Sequence, residues 1–210
     1  QTFTVLLGNE NISETFALKL DRMKPSLSMF VLYLGIDEGF HPLPQGSNAW
    51  LLSHYDLSKA YYAAVQGDLD GIGGHMIRLS PDGKTMLAFV NAPFKNKKYW
   101  EAEKPVWMES LIKKIENWTI PDLSQHILYK EAASPATLYA YTFNSQGAAY
   151  GWESTPSQFA DRDFRKPSFV QGLYLTGHWT TFAQGIPGVA YLGYDTAKSV
   201  LRVKGTFAGR

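Results

Sequence analysis

Near its C-terminus the chain places Gly172-Leu173-Tyr174-Leu175-Thr176-Gly177 ahead of Gly185-Ile186-Pro187-Gly188, then an apolar run at helical spacing, Val189, Leu192, Tyr194, Ala197, Val200 and Leu201. The pattern predicts a short strand at Gly172–Gly177, a loop, and a helix from Val189 to about Lys204 whose start presents unpaired backbone N–H groups. Such a start carries a partial positive charge and suits an anion, a pyrophosphate or an electron-rich carbonyl. Gly185 and Gly188 let the main chain approach a flat ligand closely, and Pro187 sets the entry angle. An ordinary strand-to-helix connection has the same spacing, so the pattern marks a candidate site without naming its ligand.

Other chemistry is poorly supported. Gly71-Ile72-Gly73-Gly74-His75-Met76 starts like a dinucleotide fingerprint, but Met76 stands at the third glycine position and a strand, not a helix, is predicted to follow. The histidines His41, His54, His75, His126 and His178 form no i, i+4 pair and no H-E-x-x-H, so no metal site is expected. No G-x-S-x-G elbow places a nucleophile, and the absence of cysteine excludes disulfides and thiolate chemistry. Twenty Lys and Arg against 19 Asp and Glu leave a net charge of +1 with no long basic run, which argues against nucleic acid as a partner. Aromatic residues make up 14% of the chain, as 12 Tyr, 12 Phe and 6 Trp. That ring surface must fill a core or line something apolar.

These residues must be positioned by the elements around them. Helical spacing predicts a short helix at residues 3–7 and another from about Glu14 to Met23, which Pro25 closes. Leu27–Ile36 reads as a central strand covered on both faces, and Ala49–Tyr55 as a second strand. A short helix is expected over Ser58–Gln66, then a glycine-rich loop to Gly74. Residues 75–80 and 85–90 flank Pro81-Asp82-Gly83-Lys84, a hairpin turn. After Pro105 a helix carries Val106, Trp107, Leu111, Ile112, Ile115 and Trp118 on one stripe, and Ile127–Glu131 is a further strand. Lys95, Lys97, Lys98 and Lys104 precede that stripe, so the helix reads as a packed surface helix or as an interfacial membrane helix, the former being the common case. No stretch reaches the roughly 20 apolar residues of a membrane span. The expected location is cytoplasmic, at most peripheral to a membrane. Residues 162–169 read as polar. The fold class is therefore α+β, a mixed and mostly antiparallel sheet with helices, plus a C-terminal strand and helix of α/β type.

The segment Gly172-Leu173-Tyr174-Leu175-Thr176-Gly177-His178-Trp179-Thr180, continued by Gly185-Ile186-Pro187-Gly188-Val189-Ala190-Tyr191 and Gly193, closely resembles the C-terminal flavin motif of phytoene desaturase and carotenoid isomerase-like oxidoreductases, within the FAD-dependent amine-oxidase superfamily. Ser134-Pro135-Ala136-Thr137-Leu138 with Gly147–Glu153, and Lys24-Pro25-Ser26-Leu27-Ser28 leading into Phe30–Gly35, resemble segments of the same family. The family's N-terminal G-x-G-x-x-G is absent, so the resemblance implies a C-terminal portion of a longer enzyme. It implies a substrate-binding domain over residues 1–160 and a segment, 161–210, returning to the FAD-binding domain. Gly177, His178, Trp179, Gly185, Ile186, Pro187 and Gly188 would then lie against FAD. Phe30, Tyr33, Tyr141, Phe143, Tyr150 and Trp152 are expected to include walls of a substrate channel, with core packing the competing role for each ring. The chemistry implied is hydride transfer between flavin and an apolar polyene or isoprenoid-like substrate, and no catalytic side chain is singled out. Without its diphosphate site this chain is expected to retain no FAD. Its strand at 172–177, lacking sheet neighbours, invites dimerisation or domain swapping. Two other readings stay open: a lipophilic-ligand binding module with vestigial flavin contacts, and a flavin amine oxidase.

Overall fold

The computed structural model describes residues 2–159, 170–180 and 184–207. The polar stretch 162–169 lies outside them. The chain divides into two compact units, one made of Leu27–Ala149 and the other of Gln1–Ser26 with Tyr150–Arg210.

The Leu27–Ala149 unit is an α+β layer on an open five-stranded antiparallel sheet. Its elements are β1 (Ser28–Ile36), β2 (Asn48–Leu52), α2 (Leu57–Gln66), β3 (Gly74–Leu79), β4 (Thr85–Ala92), α3 (Lys97–Trp118), β5 (Ile127–Ala133) and α4 (Pro135–Thr142); α1 (Glu14–Arg22) precedes them in the other unit. Strand order is β2-β3-β4-β1-β5. Phe30, Leu32, Leu34 and Ile36 alternate along β1 and are buried, as the two-residue period of a strand requires. They share one cluster with Ile77 and Leu79 of β3, Met86, Ala88 and Val90 of β4, and Trp100, Trp107, Leu111 and Ile115 of α3. Phe30 stands between Trp100 and Trp107, with ring centroids 5.9 and 5.5 Å away. Trp107 is only 4% exposed, so α3 is a packed helix on the sheet. Lys104–Glu131 (2.8 Å) and Lys130–Glu109 (2.6 Å) ion pairs tie the same helix to β5.

Several elements differ from the sequence expectation. α3 begins eight residues before Pro105, because Asn96 caps it by accepting from the Tyr99 N–H at 2.9 Å and Trp100 anchors its early turns in the core. Pro105 forfeits one backbone hydrogen bond inside the helix, a cost of roughly 3 kcal/mol that this burial offsets. α4 was not anticipated as a helix, although Ser134 and Thr137 form a capping box and Pro135 occupies its first turn. It ends at Phe143, which adopts the left-handed region at φ 54°. Residues 172–177 form no strand: a strand exists only through a partner's ladder, and among the described residues none pairs with them.

In the second unit, α1 is capped by the Ser13 hydroxyl, which accepts from the Phe16 N–H. α5 (Pro156–Phe159) and α6 (Gly185–Phe207) complete it. α6 starts at Gly185, four residues earlier than Val189, because a proline is tolerated in a first turn where its missing N–H has no partner to lose. Phe3 and Met23 are buried here, with Leu7, Ile12, Phe16, Leu20, Trp152 and Leu175 packed against them.

Candidate functional site

The glycine loops of the C-terminal region surround Trp152. Gly151 has φ 75°, and a Cβ there would run into the carbonyl oxygen and ring of His178, so only glycine lets these two segments touch. Trp152 Nε1 donates to the Trp179 carbonyl at 3.0 Å, and the two indoles meet edge to face with centroids 4.9 Å apart. Gln184 Nε2 donates to the Trp152 carbonyl and to the Ser154 hydroxyl, each at 3.1 Å, fixing the residue just before α6. The Thr180 N–H and hydroxyl both donate to the Gly177 carbonyl, at 3.1 and 2.8 Å, closing the turn that carries His178 and Trp179. Of the residues predicted for the cofactor and substrate, Tyr150, Trp152, Gly177, His178, Trp179 and the start of α6 therefore lie in one unit, and His178, Trp179 and Trp152 touch.

Gly177 (φ 103°) and Gly185 (φ 76°) are in the left-handed region, and a Cβ on either would meet nothing within 4 Å. Their backbone is thus both conformationally committed to glycine and open to approach. Ile186, 84% exposed, and Pro187 follow on the surface of the first turn of α6, with Gly188 half-buried. Burial holds His178 below the usual imidazole range, and its Nε2 is enclosed without a hydrogen-bond partner. The ring is neutral at pH 7. Burial likewise raises the Tyr150 phenol, which stays protonated.

The sheet supplies the second feature. Opposite its helix-covered face, strand register lines up Trp50, Met76, Phe89, Val31 and Ala133 in one row across all five strands. At the spacing of neighbouring strands this row is about 19 Å long; its Val31 and Ala133 end is buried, while Trp50, Met76 and Phe89 are accessible. Trp50 and Phe89 meet edge to face at 5.6 Å, and Trp50 is 66% exposed. The adjacent row on this face runs Asn48, Arg78, Leu87, Tyr33 and Glu131, Tyr33 being exposed, so polar and charged residues border the apolar row. Only Tyr33 of this surface was singled out from sequence. Trp50, Met76 and Phe89 were missed, and the available signal was that β4 is apolar on both faces. Phe30, predicted beside Tyr33 as a wall, points to the other side and is fully buried between two tryptophans, so its ring serves the core. Tyr141 and Phe143 are largely exposed at the end of α4, and Phe143 faces Tyr139 with centroids 6.3 Å apart.

Among the described residues no group of three or more His, Cys, Asp or Glu could hold a metal ion, and no helix is long and apolar enough to cross a membrane.

No established family profile matches the chain. It is 25% identical to phytoene desaturase (lycopene-forming) of Pseudescherichia vulneris, over 95% of this chain and 43% of that protein. It is 26% identical to carotenoid 3,4-desaturase of Haloarcula japonica, over 83% of this chain and 37% of that protein. It is 24% identical to 4,4'-diaponeurosporene oxygenase of Staphylococcus haemolyticus, over 84% of this chain and 37% of that protein. These relatives belong to the carotenoid desaturase branch of the amine-oxidase family, and the chain is distantly related to them. It spans less than half the length of each.

Proposed function

We propose that the chain is the C-terminal portion of an FAD-dependent oxidoreductase that desaturates, saturates or isomerises an apolar polyene by hydride transfer. The observation that carries the substrate class is the accessible apolar patch of Trp50, Met76 and Phe89, continued inward by the buried Val31 and Ala133, against which a hydrocarbon can lie through dispersion and water exclusion. Its fit to a polyene agrees with the names of the distant relatives. In this reading the sheet belongs to the substrate-binding part, residues 1–160, and residues 161–210 return to the cofactor domain.

FAD, when bound, supplies the hydride chemistry. The residues of this chain fit a flat ring system: the open backbone at Gly177 and Gly185 allows close approach, and the first N–H groups of α6 suit an electron-rich ring edge. Neutral His178 can donate or accept one hydrogen bond without placing a charge beside a hydrocarbon. Trp152 and Trp179 brace that turn and help exclude water. Tyr33 and the row beside it orient the substrate.

The test is the longer protein that carries this chain together with its N-terminal half. It should purify yellow with a flavin spectrum that bleaches anaerobically when a polyene is added, and Trp50→Ala with Phe89→Ala should raise KM for that polyene at least tenfold. The 210-residue chain alone should bind no flavin. A colourless longer protein that still binds polyenes would replace the enzyme by a binding module. Oxidation of amines with polyenes untouched would make it an amine oxidase.

A further inference from the structure

A second site lies in the unit formed by residues 1–26 and 150–210, apart from the Trp152 cluster. Thr15, Leu18, Lys19 and Arg22 follow the i, i+3, i+4, i+7 spacing of one helix face, and that face of α1 forms one wall of a cleft of about 650 Å3. Residues Glu153–Gln158 form the other wall, with Met23 and Lys24 at the junction.

The walls are fixed by hydrogen bonds. Gln158, 8% exposed, accepts from the Lys24 N–H at 2.6 Å and donates to the carbonyls of Lys24 and Glu153 at 3.2 and 2.8 Å. The Glu153 N–H donates to the Lys24 carbonyl at 2.8 Å. Every hydrogen-bonding atom of this glutamine amide thus joins the two walls at the cleft floor. Around that floor stand the cations of Lys19, Arg22 and Lys24, the carboxylate of Glu153 and the hydroxyls of Thr15, Thr155 and Ser157. The C-terminal carbonyls of α1 add about half a negative charge. Among the described lining residues three cationic side chains thus stand with one carboxylate, and Arg22 and Lys24 are both exposed at the cleft. Leu18, half exposed, gives it one apolar side.

We propose that this cleft binds a phosphate-type anion attached to an apolar body, with Arg22 and Lys24 the principal contacts. Arg offers a planar fork for two phosphate oxygens, Lys a point charge, and the hydroxyls neutral donors. Its volume is that of a small-molecule pocket and exceeds what inorganic phosphate fills. The same chemistry occurs in a free phosphate ester and in an anionic lipid headgroup.

Titration calorimetry of the 210-residue chain with inorganic pyrophosphate at low salt should show one saturable site. R22Q/K24Q should weaken it at least tenfold, whereas R22K/K24R should keep it within about threefold. K84Q/K130Q, which removes the same charge outside the cleft, should leave it within twofold. Flotation with phosphatidylcholine vesicles containing phosphatidic acid separates the sources. Pyrophosphate-competed flotation that R22Q/K24Q abolishes identifies a headgroup; pyrophosphate binding without flotation identifies a free ester. Absence of saturable binding to both ligands overturns the proposal. So does equal weakening by K84Q/K130Q, because general charge would then explain it.

Discussion

Residues 27–149 bury Phe30, Leu32, Leu34, Ile77, Leu79, Met86, Trp100, Leu111 and Ile115 in one continuous cluster, whereas the described part of the other unit buries far fewer large apolar residues, Phe3 and Met23 in one small cluster and Leu192 on α6. The second unit is joined instead by polar pins: Gln158 to Lys24, Trp152 to Trp179, Gln184 to Trp152 and Ser154. Apolar burial is non-directional and tolerates small shifts, while pins of this kind hold particular backbone atoms in register. The sheet unit is thus built for stability and presents a surface. The glycine-loop unit is built for the placement of main-chain groups.

That contrast can be broken at its strongest point first. Phe30→Ala removes a fully buried ring and should cost about 3–5 kcal/mol, read as a lower denaturant midpoint for loss of the sheet's circular dichroism signal. A cost below about 1 kcal/mol would mean that the core is not centred on Phe30 and its two tryptophans.

The next effect comes from a polar flaw inside that core. His75 on β3 is 3% exposed, neither ring nitrogen has a partner, and burial followed by the nearby Lys114 charge lowers its pKa to about 4 from 6.5. Lys114 is itself buried, its ammonium donating to the Leu69 carbonyl at 2.7 Å. Above pH 6.5 His75 is neutral in both the folded and unfolded chain and has no pH effect. As pH falls from 6.5 to about 4, the unfolded chain takes up a proton that the folded one refuses, so stability falls by about 3 kcal/mol in total. His75→Leu should remove this acid-dependent loss while keeping stability at pH 7. Urea midpoints of both proteins at pH 7 and pH 4.5 decide it, and parallel pH dependence would sink the idea.

The smallest effect tests the polar pins. Gly151→Ala puts a Cβ into the His178 carbonyl and a non-glycine residue into the left-handed region, at a cost of about 1–3 kcal/mol. Fluorescence of the Trp152–Trp179 pair should change before the sheet signal does on denaturation. Simultaneous change would show that the two units unfold together and that the contrast is one of composition only.

Much of the scaffold is legible in the chain itself. The hairpin around Pro81–Lys84 and the strand at Ser28–Ile36 follow from turn residues and alternation, and the helix stop at Gly67 from glycine's ease in the left-handed region, which it adopts at φ 82°. The true start of α3 is not legible because proline favours a first helical turn, which sets the expected start at Pro105, whereas the burial of Trp100 that anchors the earlier turns exists only in the folded chain. α4 was hidden because eight residues give little periodic signal and its evidence is a single capping box. Of the candidate site, the glycine loops were readable as motifs. The Trp50–Ala133 row was not, because it joins residues from five strands and exists only once the register is known.

By itself, then, the sequence determined the elements with strong local signals, the glycine positions where backbone angle and close approach matter, and the exclusion of thiolate chemistry. Local propensity and turn chemistry are short-range, so they survive in one dimension. Tertiary structure alone decided that Phe30 belongs to the core while Tyr33 faces outward, that Trp152 meets Trp179, and that α1 and Glu153–Gln158 enclose a basic cleft. Each of those depends on which distant segments share a face, and a neighbour across a sheet or cleft leaves no periodic trace along the chain.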